Sequence, residues 1–204
     1  ADDNSRGDMM SHVYDVTYGI VRNQIDSLVL VDDSIVRGTT LKDSIISIVD
    51  RLKPKKIVVV SSAPQIRFPD CYGIDMSKMK EFVAFRALVE LLHDNNREHL
   101  LDEVYEKCKK QDLLPKEEIK NYVADLYKEF TYEEVSAKIG QLLTPKHINA
   151  EVEVIFQTIE NLHDACPNHT GDWYFSGNYP TPGGNRVVNK AFMFYMEKKD
   201  ERAY

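Results

Sequence analysis

Two adjacent acidic residues, Asp32 and Asp33, precede a Gly-Thr-Thr triplet that begins at Gly38. Neighbouring carboxylates can accept hydrogen bonds from vicinal sugar hydroxyls or supply oxygen ligands to Mg²⁺. Glycine lets the backbone come close to a ligand, and the hydroxyl groups of Ser34 and the two threonines add donors. Backbone amides that begin a helix favour a phosphate group. The cluster therefore predicts a site for a phosphorylated sugar.

Each part of this cluster also has a purely structural explanation. An acidic pair often follows a strand, and Thr40 with Asp43 three residues later could simply cap a helix. The presence of all these residues together favours a ligand-binding site, because acids, hydroxyls and the glycine lie close together at one predicted strand-to-helix turn. The cluster lacks both the GxxxxGK[ST] pattern of a P-loop and the GxGxxG pattern of a dinucleotide-binding fold.

The flanking segments predict a strand, loop, helix and strand that place the cluster at the edge of a sheet. The runs 28–31 (LVLV) and 57–60 (IVVV) are typical of parallel strands buried on both faces. Between them, apolar residues at helical spacing predict a helix that ends before Pro54. These residues are Leu41, Ile45, Ile48, Val49 and Leu52. Ligands of open α/β sheets bind at the carboxyl edge, where the acidic pair would lie.

The rest of the chain is predicted to be mainly helical. Apolar residues recur at helical spacing over 79–92 and 100–108. Pro115 marks a further helix start, and Thr131 and Glu134 have the spacing of a capping box. More helices should therefore follow each of these signals.

The last third of the chain predicts one more helix and a long loop. The apolar spacing over 152–162 favours an amphipathic helix, and the proline and glycine residues of 167–184 favour an ordered loop. We therefore divide the chain into a sheet-bearing part, residues 1–92, and a helical part with a carboxyl-terminal segment, residues 93–204.

Composition narrows the classes of function. The chain has 204 residues, of which 43% are hydrophobic, and a net charge of -7, which disfavours nucleic acid or an anionic membrane as a partner. No apolar run approaches the roughly 18 residues of a membrane span, and the start of the sequence lacks a signal-peptide core. We expect a cytoplasmic protein. The three cysteines, an odd number without a CxxC pair, are expected to be free thiols.

The segment 31–40 (VDDSIVRGTT) resembles the phosphoribosyl pyrophosphate (PRPP) motif of type I phosphoribosyltransferases. Its particular form is that of the amidophosphoribosyltransferase family. The segments 62–69 and 72–76 resemble the next part of that family at matching order and spacing, and 175–181 resembles its carboxyl-terminal segment. The resemblance implies an α/β fold, with a partial type I phosphoribosyltransferase parallel sheet followed by a carboxyl-terminal helical extension.

The resemblance also implies roles for individual residues. Asp32 and Asp33 would bind the ribose hydroxyls and Mg²⁺, and their charge would stabilise the cationic transition state. The remaining motif residues would bind the 5-phosphate: Ser34, Arg37, Gly38, Thr39 and Thr40. The implied reaction makes 5-phosphoribosylamine from PRPP and glutamine-derived ammonia in purine synthesis. It implies a glutaminase domain upstream in the complete chain and a homo-oligomer.

Several features depart from the family pattern or leave alternatives open. Some members carry an iron–sulfur cluster, but Gly171 and Tyr174 occupy the matching cysteine positions and Cys71 lies one place off, so we expect no cluster. The glutaminase domain and the first strands of the transferase fold would precede Ala1, so this chain alone is expected to be inactive. A non-catalytic PRPP-binding regulatory module is the alternative, because the chemistry does not require the long helical segment 98–143. Arg67 either faces the ligand edge or forms a salt bridge.

Overall fold

The computed structural model describes residues 16–71 and 76–203. Its centre is a three-stranded sheet in the order β1-β2-β3, with parallel pairing throughout. The strands are β1 (Ser27–Asp32), β2 (Lys56–Ser61) and β3 (Glu151–Phe156). Because all three strands run the same way, their carboxyl ends meet at one edge of the sheet, with Ser61 opposite both Asp32 and Phe156.

Helices make up most of the remaining structure. The α-helices are α1 (Ile46–Asp50), α2 (Val83–Asp94), α3 (His99–Lys109), α4 (Val123–Tyr127), α5 (Tyr132–Leu143), α6 (Ile159–Ala165), α7 (Trp173–Ser176) and α8 (Pro182–Met196). A π-helical turn, Leu41–Ile45, leads directly into α1, and 3₁₀ turns span Met79–Glu81, Lys110–Leu113 and Lys116–Glu118.

The predicted strand, helix and strand around the acidic cluster are confirmed. Between β1 and β2, the π turn and α1 bury one apolar stripe, which includes Leu41, Ile46 and Val49. α1 ends at Asp50, well before Pro54. The prediction that both strands are buried on both faces is wrong for β1, where Val29 and Val31 are 61% and 76% exposed. Among the described residues, the helices that bury the sheet pack on its other face.

β3 corrects the prediction of a single helix over 152–162. In this strand Val154 and Phe156 are buried whereas Glu153 and Ile155 are exposed, which is the period of two of a half-buried strand. The helix α6 begins only after Thr158, whose hydroxyl accepts a hydrogen bond from the backbone N–H of Asn161 (3.1 Å). The segment 151–156 is a strand because it pairs with β2, which lies more than 90 residues earlier in the chain.

The sheet therefore receives a strand from the part of the chain that was predicted to be helical. The division of the chain at residue 92 stays a prediction. The helix α2, which contains this residue, contributes side chains to two hydrophobic cores. Val83, Ala84 and Ala87 of α2 belong to the core under the sheet. A second set of residues, three or four positions apart, belongs to the core formed with α3, α4 and α8: Phe82, Phe85, Leu88 and Leu92.

The predicted loop over 167–184 is only partly correct. It contains the short helix α7, and α8 begins inside it at Pro182. Thr181 caps α8, because its hydroxyl accepts a hydrogen bond from the backbone N–H of Gly184 (3.3 Å). Threonine followed by proline is a helix-start signal, which the abundance of proline and glycine masked.

The predicted capping box is confirmed at the start of α5. The backbone N–H of Glu134 donates to the Thr131 hydroxyl (3.2 Å), and the backbone N–H of Thr131 donates to the Glu134 carboxylate (2.7 Å). Both bonds satisfy amides that a helix start leaves free. α5 packs against α2 and β3, so this cap supports the core under the sheet.

Thr131→Ala should lower the free energy of unfolding by about 1 kcal/mol, because an N-cap hydroxyl is typically worth that amount. Urea unfolding followed by circular dichroism measures the change. Thr170→Ala, at an exposed position, serves as the matched control and should be neutral. Equal stability of the Thr131→Ala and Thr170→Ala variants would show that the capping box contributes nothing to this fold.

Candidate functional site

The acidic pair lies at the carboxyl end of β1, as the sequence predicts. Asp32 is the last residue of the strand and is partly buried, and Asp33 is exposed. The backbone N–H of Asp33 donates to Asp32 Oδ1 (2.9 Å), and the backbone N–H of Ser34 donates to Asp33 Oδ1 (2.7 Å). These bonds orient both carboxylates and engage one oxygen of each.

The loop after β2 fixes the backbone of the acidic pair. Ser62 donates to the carbonyl of Asp32 from both its backbone N–H and its hydroxyl, at 2.9 Å in each case. The backbone N–H of Ala63 donates to the carbonyl of Asp33 (3.0 Å). The ends of the two neighbouring strands therefore hold the carboxylates in place, which is the rigid support that a binding site needs.

Partial burial raises the pKa of Asp32 above its usual value, and the neighbouring carboxyl of Asp33 adds to the rise. A raised pKa in the folded state means that the ionised carboxylate destabilises the fold. This penalty is absent below the pKa of the unfolded state and complete above the pKa of the folded state. Stability is thus lost at neutral pH to keep a charge at this position, a pattern that occurs often at functional sites.

Asp32→Asn should therefore raise the melting temperature at pH 7. Asparagine keeps an acceptor for the backbone N–H of Asp33 and removes the charge. Scanning calorimetry between pH 3 and pH 8 measures the difference from the unsubstituted protein, which should shrink toward zero as the pH falls through the carboxyl range. Asp102→Asn, at an exposed helical position, is the control. A destabilised Asp32→Asn variant at pH 7 would contradict this account of the pKa.

The predicted phosphate-binding turn has the backbone of a helix start. Gly38 has φ +70, a left-handed conformation that glycine adopts readily, and the helical backbone begins at Thr39. The backbone N–H of Lys42 donates to the carbonyl of Gly38 (3.0 Å), which closes the first turn. Thr40 makes no side-chain capping bond, so the simple capping explanation for this residue is wrong.

Gly38 is also required because space is short. A Cβ atom added at this position would come within 2.3 Å of Cδ2 of Leu143, at the end of α5. The close approach connects the turn to the helical part of the chain, which sequence alone did not predict.

Arg37 lies on the outer side of the same turn. Its Nη2 donates to Glu81 Oε2 (2.5 Å), and its carbonyl accepts a hydrogen bond from Nη2 of Arg86 (2.6 Å). An open cavity of about 210 Å³ lies here. It is lined by Arg37, Thr39, Lys80, Glu81 and Arg86. Glu81 and Arg86 carried no motif in the sequence, so their contact with the turn is visible only in the folded structure.

The acidic pair supplies oxygen ligands of the kind that Mg²⁺ prefers. Each carboxylate has one oxygen in a backbone hydrogen bond and a second oxygen that can bind an ion. Within residues 16–71 and 76–203, no group of three or more acidic, histidine or cysteine side chains could hold a metal. The two carboxylates fit a magnesium ion whose other ligands come from substrate and water, but they do not form a closed metal site.

Two further residues, Arg67 and Cys108, are surrounded by groups that pack the fold. The Arg67 guanidinium donates to Oε1 of Gln65 (2.8 and 3.0 Å) and lies over the rings of Tyr127 and Tyr132, 4.8 and 5.0 Å from their centroids. Among the described residues these contacts are with an amide and two aromatic rings, and no salt bridge of Arg67 is present, whereas the alternative that Arg67 faces the ligand edge stays a prediction. Burial raises the pKa of the Cys108 thiol to about 12, which makes it a poor nucleophile.

Cys108 and Cys166 are free thiols, as predicted. Residues 72–75 of the second family-like segment lie outside the described residues. In the part of the chain that the structure describes, no helix combines the length and apolar character needed to cross a bilayer.

Fold and site together define the class that this chain resembles. An open parallel α/β sheet carries an acidic pair at the carboxyl end of one strand, and a glycine-led helix start follows. The fold prediction, a partial sheet of the type I phosphoribosyltransferase kind with helices, is confirmed. No model of a protein family matches the chain.

Similarity to curated proteins narrows this class, because the relatives that the chain matches are amidophosphoribosyltransferases. The Escherichia coli (strain K12) protein is 50% identical over 58 residues, which are 28% of this chain and 11% of the relative. The Lachancea kluyveri protein is 34% identical over 135 residues, 62% of this chain and 26% of the relative. The Saccharomyces cerevisiae protein is 40% identical over 63 residues, 31% of this chain and 12% of the relative.

These matches confirm the resemblance to amidophosphoribosyltransferases that the motif predicts. The chain spans only about a ninth to a quarter of the length of these relatives.

Proposed function

We propose that the complete protein is an amidophosphoribosyltransferase of purine synthesis, which makes 5-phosphoribosylamine from PRPP and glutamine-derived ammonia. The observation that carries this proposal is the acidic pair Asp32 and Asp33, held at the carboxyl edge of a parallel sheet immediately before a glycine-led helix start. The similarity to curated amidophosphoribosyltransferases supports the same reaction.

The turn would bind the 5-phosphate of PRPP. The amides of Gly38, Thr39 and Thr40 lie at the start of a helical segment that continues to Asp50. Free N–H groups and the helix dipole both favour an anion at such a position. The hydroxyls of Ser34 and the two threonines supply further donors. Because the protein carries a net charge of -7, this local arrangement would have to hold the phosphate.

The acidic pair would orient the ribose and stabilise the reacting centre. Asp32 and Asp33 accept hydrogen bonds from the two ribose hydroxyls, and their charges favour the oxocarbenium-like transition state. The ammonia nitrogen forms a bond to the anomeric carbon as the bond from that carbon to pyrophosphate oxygen breaks. The electron pair leaves with pyrophosphate, and the new ammonium group loses a proton. Asp32 and Asp33 would also hold Mg²⁺, whose charge would offset the negative charge of the leaving pyrophosphate.

The remaining parts of the proposal rest on the sequence. The family resemblance implies a glutaminase domain upstream in the complete chain and a homo-oligomer, whereas Gly171 and Tyr174 at the family's cysteine positions argue against an iron–sulfur cluster. The net charge of -7 disfavours a nucleic-acid partner, and a cytoplasmic address is proposed with the metabolic role. One observation favours the alternative of a non-catalytic PRPP-binding module. Of the helices within residues 98–143, α3 and α4 pack with α8 in a core apart from the sheet, and only α5 packs on the sheet, where Leu143 lies beside Gly38 of the turn.

Steady-state turnover of the complete protein tests the proposal. With PRPP, Mg²⁺ and ammonia, pyrophosphate release should depend on all three and should saturate with PRPP. Calorimetric titration with PRPP in the absence of ammonia provides the second measurement. Binding without turnover would favour the regulatory module, and the absence of both would contradict the proposed function.

A further inference from the structure

The phosphate turn, residues 36–40, is the segment that leads into the proposed phosphate site. Two of its carbonyl groups accept hydrogen bonds from one helix, α2. The backbone N–H of Val83, the first residue of α2, donates to the carbonyl of Val36 (2.8 Å). One turn further along, Nη2 of Arg86 donates to the carbonyl of Arg37 (2.6 Å). The first bond is a backbone contact that any residue could make, whereas the second depends on the Arg86 side chain.

The geometry of the peptide bond transmits this contact across the turn. In a planar trans peptide, the C=O of one residue and the N–H of the next point in opposite directions. When Arg86 holds the carbonyl of Arg37 toward α2, the N–H of Gly38 must point away from α2. Left-handed Gly38 then leads into the helical backbone of Thr39 and Thr40, whose amides continue the proposed phosphate site.

We propose that Arg86 is a positioning residue for the phosphate turn. Through the carbonyl of Arg37 it fixes the direction of the Gly38 N–H group, and it does not itself contact the substrate. This inference rests on the proposed function for its effect on PRPP, but its effect on the backbone of the turn is independent of any ligand. The bond is charge-assisted, which makes it stronger than an ordinary backbone hydrogen bond.

Lys80 provides a matched control in the same cavity. It lines the cavity beside Arg86, but its Nζ pairs with Asp200 (2.6 Å). Arg86→Met and Lys80→Met each remove one positive charge from this cavity, and only Arg86→Met removes the hydrogen bond to the turn. Arg86 is an exposed position of α2, so its substitution leaves the core intact. Arg86→Lys retains a charged donor that can reach a single carbonyl.

Hydrogen exchange and kinetics on the complete protein test the proposal. In Arg86→Met, amide exchange of the segment 37–42, which includes the Lys42 bond to Gly38, should become at least about fivefold faster without ligand. The KM for PRPP should rise about tenfold with kcat within about threefold, because a charge-assisted bond that supports binding is lost. Lys80→Met should change neither quantity, and Arg86→Lys should recover most of both.

Two results would overturn this role for Arg86. Unchanged exchange of segment 37–42 in Arg86→Met would show that Arg86 does not hold the turn. An equal rise in KM for Arg86→Met and Lys80→Met would show that the charge of the cavity matters and the hydrogen bond does not. If the unsubstituted protein neither binds nor turns over PRPP, the proposed function fails, and the exchange measurement alone still decides whether Arg86 positions the turn.

Discussion

Replacing both Asp32 and Asp33 by asparagine is expected to slow phosphoribosyl transfer by the complete protein about 30-fold to 1,000-fold. Asparagine keeps a similar shape and one acceptor oxygen, so the backbone bonds from Asp33 and Ser34 can persist. The substitution removes the charge that attracts Mg²⁺ and stabilises a cationic sugar. Loss of one preorganised electrostatic partner costs on the order of 2 to 4 kcal/mol in the transition state, which gives this range of rates.

Steady-state kinetics with ammonia as the donor isolate this step from glutamine hydrolysis. Because the ionised Asp32 destabilises the fold at neutral pH, the double variant should lose transfer activity without losing thermal stability, and unfolding cannot explain the loss. Asp102→Asn, an exposed charge change away from the sheet edge, should keep full activity. Near-normal turnover and PRPP affinity in the double variant would remove these carboxylates from the mechanism and favour the regulatory module.

Gly38→Ala should lower the free energy of unfolding by about 2 to 5 kcal/mol. A residue other than glycine in the left-handed conformation costs about 1 to 2 kcal/mol. The added Cβ would also meet Cδ2 of Leu143 at 2.3 Å, and such overpacking costs about 1 to 3 kcal/mol. Relief of the clash would move either the turn or the buried side chain of Leu143 at the end of α5, so PRPP binding by the complete protein should weaken as well.

Chemical denaturation measures the stability change, and Gly183→Ala serves as the matched control. Gly183 lies in the first turn of α8, and the nearest atom to an added Cβ there is the Thr181 hydroxyl oxygen at 3.7 Å. Alanine at Gly183 should therefore be neutral or slightly stabilising, because helical alanine is favoured over glycine. If both glycine variants unfold at the same denaturant concentration, Gly38 would not be constrained in the way the structure indicates.

Local patterns were sufficient to predict the unit that carries the acidic pair. The runs that form β1 and β2 are continuous and apolar and contain β-branched residues, and the stripe from Leu41 to Leu52 has a clear helical period. β3 could not be predicted in this way, because Val152, Ile155 and Phe156 fit helical spacing and the decisive pairing is with a distant strand. The exposure of Val29 and Val31 is also a tertiary property, since it depends on which face of the sheet the helices cover.

In the candidate site, the sequence likewise predicted the residues of the motif but not the residues that support them. Residue types and order identified Asp32, Asp33 and the turn at Gly38, because carboxylates and a glycine-led helix start have a recognisable chemistry. The supporting residues have no such signature. Arg86 reaches the turn only because α2 packs beside it, and Leu143 limits the space at Gly38 only because α5 ends there. Both contacts join residues about 50 or more positions apart, where sequence spacing carries no information.

A crystal structure of the complete protein with PRPP and Mg²⁺ would test the central claim most directly. The 5-phosphate should lie on the amides of Gly38 to Thr40, and the ribose hydroxyls should lie on the carboxylates of Asp32 and Asp33. A structure in which PRPP is bound elsewhere, while the turn is ordered and empty, would contradict it.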